Sequence, residues 1–465
     1  MEIYKNIEIE GVNFEHITSL KIEEDINEHA TAYVTGILDE SSSLEKIHNL
    51  GFDSNITIKA SEETLFIGLV ASVEFKKGSE VSYLSLELKS HSLKLDIERV
   101  SRSFQDESIP YTSLFNQVAS NHGAIILDTA SNGRPQGQFY LQYRETDWKF
   151  LKRLASRLEA VIIAHPQSEK PQIAIGKLGG NTHIVSPHNF KMENLVGEYY
   201  KSSENFEGWD KLDFIHTTIE SKEVYSLCDI IICNGVKYLV AGKINEFKDS
   251  MLINKYRLQP LSSFRQNTIY NEELIGLSLD GEVIDVKEDK LQIELEIGEE
   301  QGTVKWFDFN TNYVAENHTG TYIMPELCNH IQLYIPDWDE AKCFVKPIIR
   351  KDGETNPKTQ DPDIKYFETI DGKELMLSPD TLSLTADHGK VYMKLQEPGK
   401  NQIGGIYFIS DHDIDIKSTK IDMEGEKVNI EVGKAIYMRT ESSSLLYDEK
   451  NLDGKGIDIA DFYAD

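Results

Sequence analysis

Ile414-Asp415-Ile416, Ile421-Asp422-Met423 and Val428-Asn429-Ile430-Glu431-Val432 alternate apolar and polar residues with a period of two, the pattern of strands wet on one side and apolar on the other. It extends both ways along the chain. Leu375/Leu377, Leu382/Leu384, Val391/Met393/Leu395 and Ile406/Phe408 precede these segments and Ile436/Met438 follows, the starts falling at steps of 7, 9, 15, 8, 7, 7 and 8 residues. No helix or second sheet in the remaining sequence would cover the apolar side. The expectation is self-association: three copies wrapped about one axis, each giving one strand per layer, enclose an apolar column and leave the charges outside. A single-chain solenoid usually has a longer coil per turn and more regular repeats.

Outward from this needle, placed at 364–440, the chain changes character. Residues 351–363 carry Gly353, Pro357 and Pro362 among charges with no periodicity and read as a linker. Before it, Gly281-Glu282-Val283-Ile284, Leu291 to Leu295 and Gln332 to Ile335 outline a short all-β domain, 272–350, whose length suits an OB-type barrel. Ser262 to Asn271 is a polar connection.

The first 100 residues alternate in Ser19 to Glu23, Ala32 to Leu38 and Tyr83 to Leu88, separated by turns at Ser61-Glu62-Glu63 and Lys77-Gly78-Ser79; a first barrel-like domain is expected at 1–100. A helical insertion at 101–160 comes next. Pro110 opens a segment with Leu114, Phe115, Val118 and Ala119 at helical spacing before Gly123. Thr146 then caps a second helix whose stripe is Trp148, Leu151, Leu154, Ala155 and Leu158. Alternation returns in Ile173 to Ile175, Cys228 to Cys233 and Tyr238 to Val240, with an Asn234-Gly235 hairpin turn, as a second barrel-like domain at 161–261. Residues 441–465 read as an acidic tail, or, under the family resemblance given below, a tip-docking segment. The fold class is mostly β.

Length is 465 residues, enough for several cores, and 48 Lys plus Arg against 78 Asp plus Glu give a net charge of −30. Such a field repels nucleic acid and anionic lipid, and there is no run of five basic residues, so proteins are the expected partners. Four cysteines are too few for a disulfide framework and imply a reducing compartment of synthesis. The first residues have no secretory leader pattern, and no run of about 18 apolar residues crosses a membrane.

Residues that could carry chemistry are few. His183 and His188 lack the spacing of a metal site, and Cys228 and Cys233, an odd number apart, would face opposite sides of one strand as buried thiols. Asp411-His412-Asp413 reads as a solvated strand start, and no serine elbow, Walker loop or dinucleotide glycine pattern occurs, Gly179-Gly180 and Gly404-Gly405 being lone turns. Glu449-Lys450-Asn451-Leu452-Asp453-Gly454 with Ile457 to Asp461 is similar to the calcium loop of EF-hand and dockerin repeats. Position one is Glu, however, and Asp461 falls at position thirteen, so an acidic tail or spike cap is preferred over calcium at Asn451 to Asp461. No catalytic, cofactor or metal residue is assigned.

Ser101-Arg102-Ser103-Phe104-Gln105-Asp106 after a run of strands, then Tyr143-Arg144-Glu145-Thr146-Asp147-Trp148-Lys149-Phe150-Leu151-Lys152-Arg153-Leu154, resemble the VgrG family, hub and spike proteins of type VI secretion and related contractile injection systems, similar to phage tail spikes and late control protein D. Met324-Pro325-Glu326-Leu327 with Ile331 to Tyr334 is similar to that family's OB turn and strand, though Asn329 and His330 stand where a glycine is frequent. Tyr366 to Leu375 resembles the needle entry.

The resemblance implies a non-enzymatic homotrimer whose paired barrels form a pseudo-sixfold ring matching a hexameric tube. Its implied partners are baseplate proteins and a tip (PAAR-like) protein or effector, and it is assembled in the cytoplasm and delivered outward or released on firing. The rivals are a receptor-binding tail fibre, which would place a large head at one end, and a β-helical polysaccharide-degrading enzyme.

Overall fold

The computed structural model describes residues 7–39, 47–79, 81–186, 190–248, 251–298, 304–311, 320–348, 356–400, 403–440, 444–448 and 452–455. Strands make up 46% and helices 15%, so the fold is mostly β. The chain divides into two compact units, Met1–Arg350 and Lys351–Asp465.

The first unit begins with β1 (Ile7–Glu10), β2 (Phe14–Asp25), β3 (Thr31–Leu38), β4 (Asn55–Ala60), β5 (Glu63–Lys77) and β6 (Ser82–Ser90). β7 (Arg99–Phe104), β8 (Ile125–Asp128) and β9 (Tyr140–Thr146) then alternate with two helices, Tyr111–Ala119 and Asp147–Ser156. Next come β10 (Ile162–Ala164), β11 (Gln172–Ile175), β12 (Thr182–Val185), β13 (Phe190–Asn194), β14 (Ile215–Ser221), β15 (Ile230–Cys233), β16 (Val236–Lys248) and β17 (Met251–Pro260). A further helix, Val196–Asn205, lies between β13 and β14 and has no buried residue, which is why its sequence shows no apolar stripe.

The two barrel-like hub domains expected at 1–100 and 161–261 do not form as separate closed barrels. Their strands join one twelve-stranded sheet in the order β1-β4-β5-β6-β3-β2-β16-β17-β14-β13, with β15 on β16 and β12 on β15. The join is antiparallel between β2 and β16, from Gly242 opposite Asp25 to Phe247 opposite Leu20. The cause is length. β16 has 13 residues, and its first four pair with β15 through the Asn234-Gly235 turn, both residues at positive φ; the rest of its edge is left to β2. Alternation marks which residues form strands, but it does not say which edge will meet which. Two cores lie on this sheet, one around Leu20, Val34, Phe66 and Leu86, the other around Ile219, Ile231, Leu239 and Tyr256.

The helical insertion follows its sequence. Pro110 caps the helix Tyr111–Ala119, and Gly123 closes the next turn at φ 59°. Leu114, Phe115, Val118, Trp148, Leu151 and Leu154 share one buried cluster. The polar connection Ser262 to Asn271 is pinned to the body, Trp209 Nε1 donating to Asn267 Oδ1 at 2.7 Å and Ile269 N to Ser156 Oγ at 2.9 Å.

β18 (Ser278–Lys287), β19 (Lys290–Leu295), β20 (Trp306–Asp308), β21 (His330–Tyr334) and β22 (Phe344–Pro347) form a five-stranded sheet, order β20-β19-β18-β21-β22. Its two edges meet through an isolated parallel bridge, Phe309 to Val345, rather than a strand ladder.

The second unit holds β23 (Lys365–Glu368), β24 (Glu374–Leu377), β25 (Thr381–Ala386), β26 (Val391–Gln396) and β27 (Gly405–Ile409), an antiparallel meander in chain order. β28 (Ala435–Arg439), β29 (Ser444–Asp448) and β30 (Leu452–Lys455) form a second, three-stranded one. Gly372, at φ 69°, makes the β23–β24 turn, and a Cβ there would strike the His388 ring. The expectation of one strand per layer, pairing only between copies, therefore does not describe residues 365–409, where short turns fold each strand onto the one before it. The segment Asn451 to Asp461 lies outside the described residues except for 452–455.

Candidate functional site

Cross-strand partners in an antiparallel sheet point to the same face. Following the register of the second unit gives one row, Phe367, Leu375, Leu384, Met393 and Phe408, and beside it a second, Leu377, Leu382, Leu395 and Ile406. Every member named is apolar, and Lys365, opposite Leu377, closes the second row at the sheet's edge. The opposite face carries Tyr366, Met376, Ser383, Lys394 and Tyr407 in register. Lys358 Nζ pairs there with Glu374 and with Glu368, the latter at 2.5 Å.

The apolar face is open. Ile406 and Phe408 are 64% and 62% exposed, and a groove of about 520 Å³ lined by Phe367, Leu384, Met393, Phe408 and Ile414 runs along it. The chain then continues through 410–434, the region of Ile414/Ile416, Ile421/Met423 and Val428/Ile430/Val432. These pairs were expected to lie on strands, but here 410–434 forms no strand and no bridge with any described residue. Ile416 is 73% exposed and Met423 is 74% exposed. Full burial of a Leu, Ile, Met or Phe side chain is worth roughly 1.5–3 kcal/mol, so a face of this size left in water is a large unused driving force.

Asp411-His412-Asp413, read as a strand start, sits in the same exposed segment. Cys228 and Cys233 are both buried in one cluster. Cys228 precedes β15 at φ 71°, so the expected placement on opposite sides of one strand does not apply, and burial pushes its thiol up to about 11. His183 Nε2 lies 3.2 Å from Asp229 Oδ2, while His188 falls outside the described residues. Among the described residues no group of three or more His, Cys, Asp or Glu could hold a metal, and no helix is long and apolar enough to cross a membrane.

The two motifs quoted for the family resemblance meet in the first unit. Arg102 Nη2 donates to Asp147 Oδ1 at 2.5 Å and Arg102 Nε to Gln142 Oε1 at 2.8 Å, while His122 Nε2 lies 3.1 Å from Asp147 Oδ2. Thr146 Oγ1 accepts from Lys149 N at 3.3 Å, the N-cap expected from sequence, and donates to Asp96. Thr146→Ala should therefore lower stability by about 1 kcal/mol, read as a fall in urea midpoint with unchanged slope.

Arg153, in the same helix, has two carboxylate partners: Glu145, at 2.6 Å from Nη2, and Glu340, which enters from between β21 and β22. Glu145 lies on β9, eight residues before Arg153, and Glu340 is 187 residues away; no sequence periodicity announces either pairing.

Residues 23–180 match the family described as phage tail baseplate hub (GPD). Comparison with curated proteins returns no match. Among solved structures, the chain is similar to VgrG in the half-lidded Francisella PdpA-VgrG complex, with 11% identity, TM-score 0.56, and 87% of this chain and 88% of that one covered. It is also similar to the E. coli c3393 protein, described as a component of the type VI secretion system with structural similarity to the T4 bacteriophage tail proteins gp27 and gp5. That match has 10% identity and TM-score 0.53, and covers 73% of this chain and 99% of the other.

Proposed function

We infer that this chain, in which residues 23–180 belong to the phage tail baseplate hub family and whose fold is that of VgrG-like spike proteins, works as a trimeric hub and central spike of a contractile injection machine. Three copies bring their first units into a ring that continues a hexameric tube, and their second units wind into one needle. Contraction drives tube and needle through a target envelope. Baseplate proteins bind the ring, and a tip protein or effector rides at the far end of the chain; the particle assembles in the cytoplasm and is delivered outward. No reaction step is part of this role.

One observation carries the reading. The apolar face of β23–β27 leads into twenty-five residues, 410–434, that keep strand alternation without a strand partner among the described residues. Backbone N–H and C=O groups want partners as strongly as apolar side chains want cover, and two further copies of the same segment supply both. Rigidity follows, because interchain ladders leave few free edges to unzip.

The test is the mass of the full chain by light scattering, together with retention on an affinity column of a hexameric tube protein from the same organism. A mass of about three chains with the tube protein retained is expected. A single-copy mass, or a trimer that does not hold the tube protein, refutes the reading.

A further inference from the structure

The ten strands from β1 to β13 along the main path of the large sheet are antiparallel at every step. Ten is even, so the two end strands run in opposite directions. If copies are set side by side around an axis, β13 of one meets β1 of the next in antiparallel sense, and the alternation continues across the seam without a fault. Each end strand has one described partner, β4 for β1 and β14 for β13.

The side-chain pattern matches as well. On β1, Ile7 and Ile9 stand opposite Ala60 and Ile58 on the core side, and Glu8 and Glu10 point the other way. On β13, Phe190 and Met192 stand opposite the buried Ile219 and Thr217 on the same core side, yet both are exposed, so the core face runs out to this edge uncovered. Lys191 and Glu193 share the polar face with Thr218 and His216. Joining the edges sets Phe190 and Met192 beside Ile7 and Ile9, and brings Lys191 to Glu8 and Glu10. A slip of one residue would put every side chain on the wrong face. Exposed edges with an apolar side are templates for strand addition, and here the complementary template is on the same molecule.

We propose that the outer edge of β13 in one copy pairs antiparallel with the outer edge of β1 in the next, so that the large sheets of the hub close into one continuous ring. This rests on the three-copy reading above and adds the seam to it.

The seam can be tested on the unaltered full chain with a carbodiimide, which joins an amine directly to a carboxylate in contact. Mass spectrometry should find Lys191 linked to Glu8 or Glu10 of another copy. A second arm uses cysteine pairs in a Cys328→Ser background, since Cys328 is exposed. Lys191→Cys with Glu8→Cys, or Lys191→Cys with Glu10→Cys, should oxidise to covalent dimers and trimers with no larger species. Lys191→Cys with Ile9→Cys, on opposite faces, should not. Absence of both kinds of link while light scattering still gives three copies overturns the seam and leaves the trimer standing. A single-copy mass overturns both.

Discussion

Ile416→Asp combined with Met423→Asp is expected to turn a three-copy protein into folded single chains. Both side chains are about three-quarters exposed in the lone chain, so aspartate costs the monomer almost nothing. In a closed column the same two positions would bury six carboxylates around one axis, each without a cationic partner, at several kcal/mol apiece even after relaxation. Light scattering should show the mass falling to one chain, with the circular dichroism of the first unit unchanged and its melting temperature close to that of the parent. Asp415→Lys, on the other side of the same segment, should leave the oligomer intact. If the double variant keeps its mass, the apolar side of 410–434 is not required to hold the copies together.

The second large effect lies at Arg153. Its side chain is 1% exposed and that of Glu340 is 0% exposed. Arg153 Nε donates to Glu145 Oε1 at 3.1 Å and Nη2 to the Leu141 carbonyl at 2.6 Å; Nη1 pairs with Glu340. Arg157 Nη2 stands 3.5 Å from the second Glu340 oxygen. Burial works against the guanidinium charge, and the two carboxylates outweigh it and hold the arginine protonated.

Glu340→Ala removes one of these partners and leaves a buried cation short of charge, so a loss of about 3–5 kcal/mol is expected. In a unit of this size that is a fall in melting temperature on the order of 5 to 10 °C. Arg153→Met should be as costly, because it strands two buried carboxylates. Arg153→Met combined with Glu145→Gln and Glu340→Gln should lose less than Arg153→Met alone, since no unpaired charge remains. Single variants that melt with the parent would show that the cluster holds nothing together.

The two effects mark different degrees of legibility. The stripe Trp148, Leu151, Leu154 and Ala155, the Thr146 cap and the Asn234-Gly235 turn stand in the structure as the sequence implies, because caps, stripes and two-residue turns are set by residues within one or two turns of each other. The strands around Leu20, Val34 and Leu86 are equally plain. Their partnering is not: the union of β2 with β16 depends on which of two long edges remains free after local hairpins form, and alternation is silent on that. The chemistry at Arg153 is not visible in the sequence, because buried pairs between a helix and other segments, Glu145 on β9 and Glu340 far along the chain, leave no periodic trace.

The amino-acid order alone determined that this chain is mostly β, that helices interrupt its first unit, and that its last hundred residues alternate apolar and polar positions. Period-two alternation and apolar content are local properties, and they survive without knowledge of neighbours. Only the tertiary structure decided that strands from both ends of the first unit share one sheet, that 365–409 folds on itself, and that 410–434 does not. Each of those outcomes depends on which backbone edges reach one another in space, and hydrogen-bonding edges, unlike side chains, are the same for every residue.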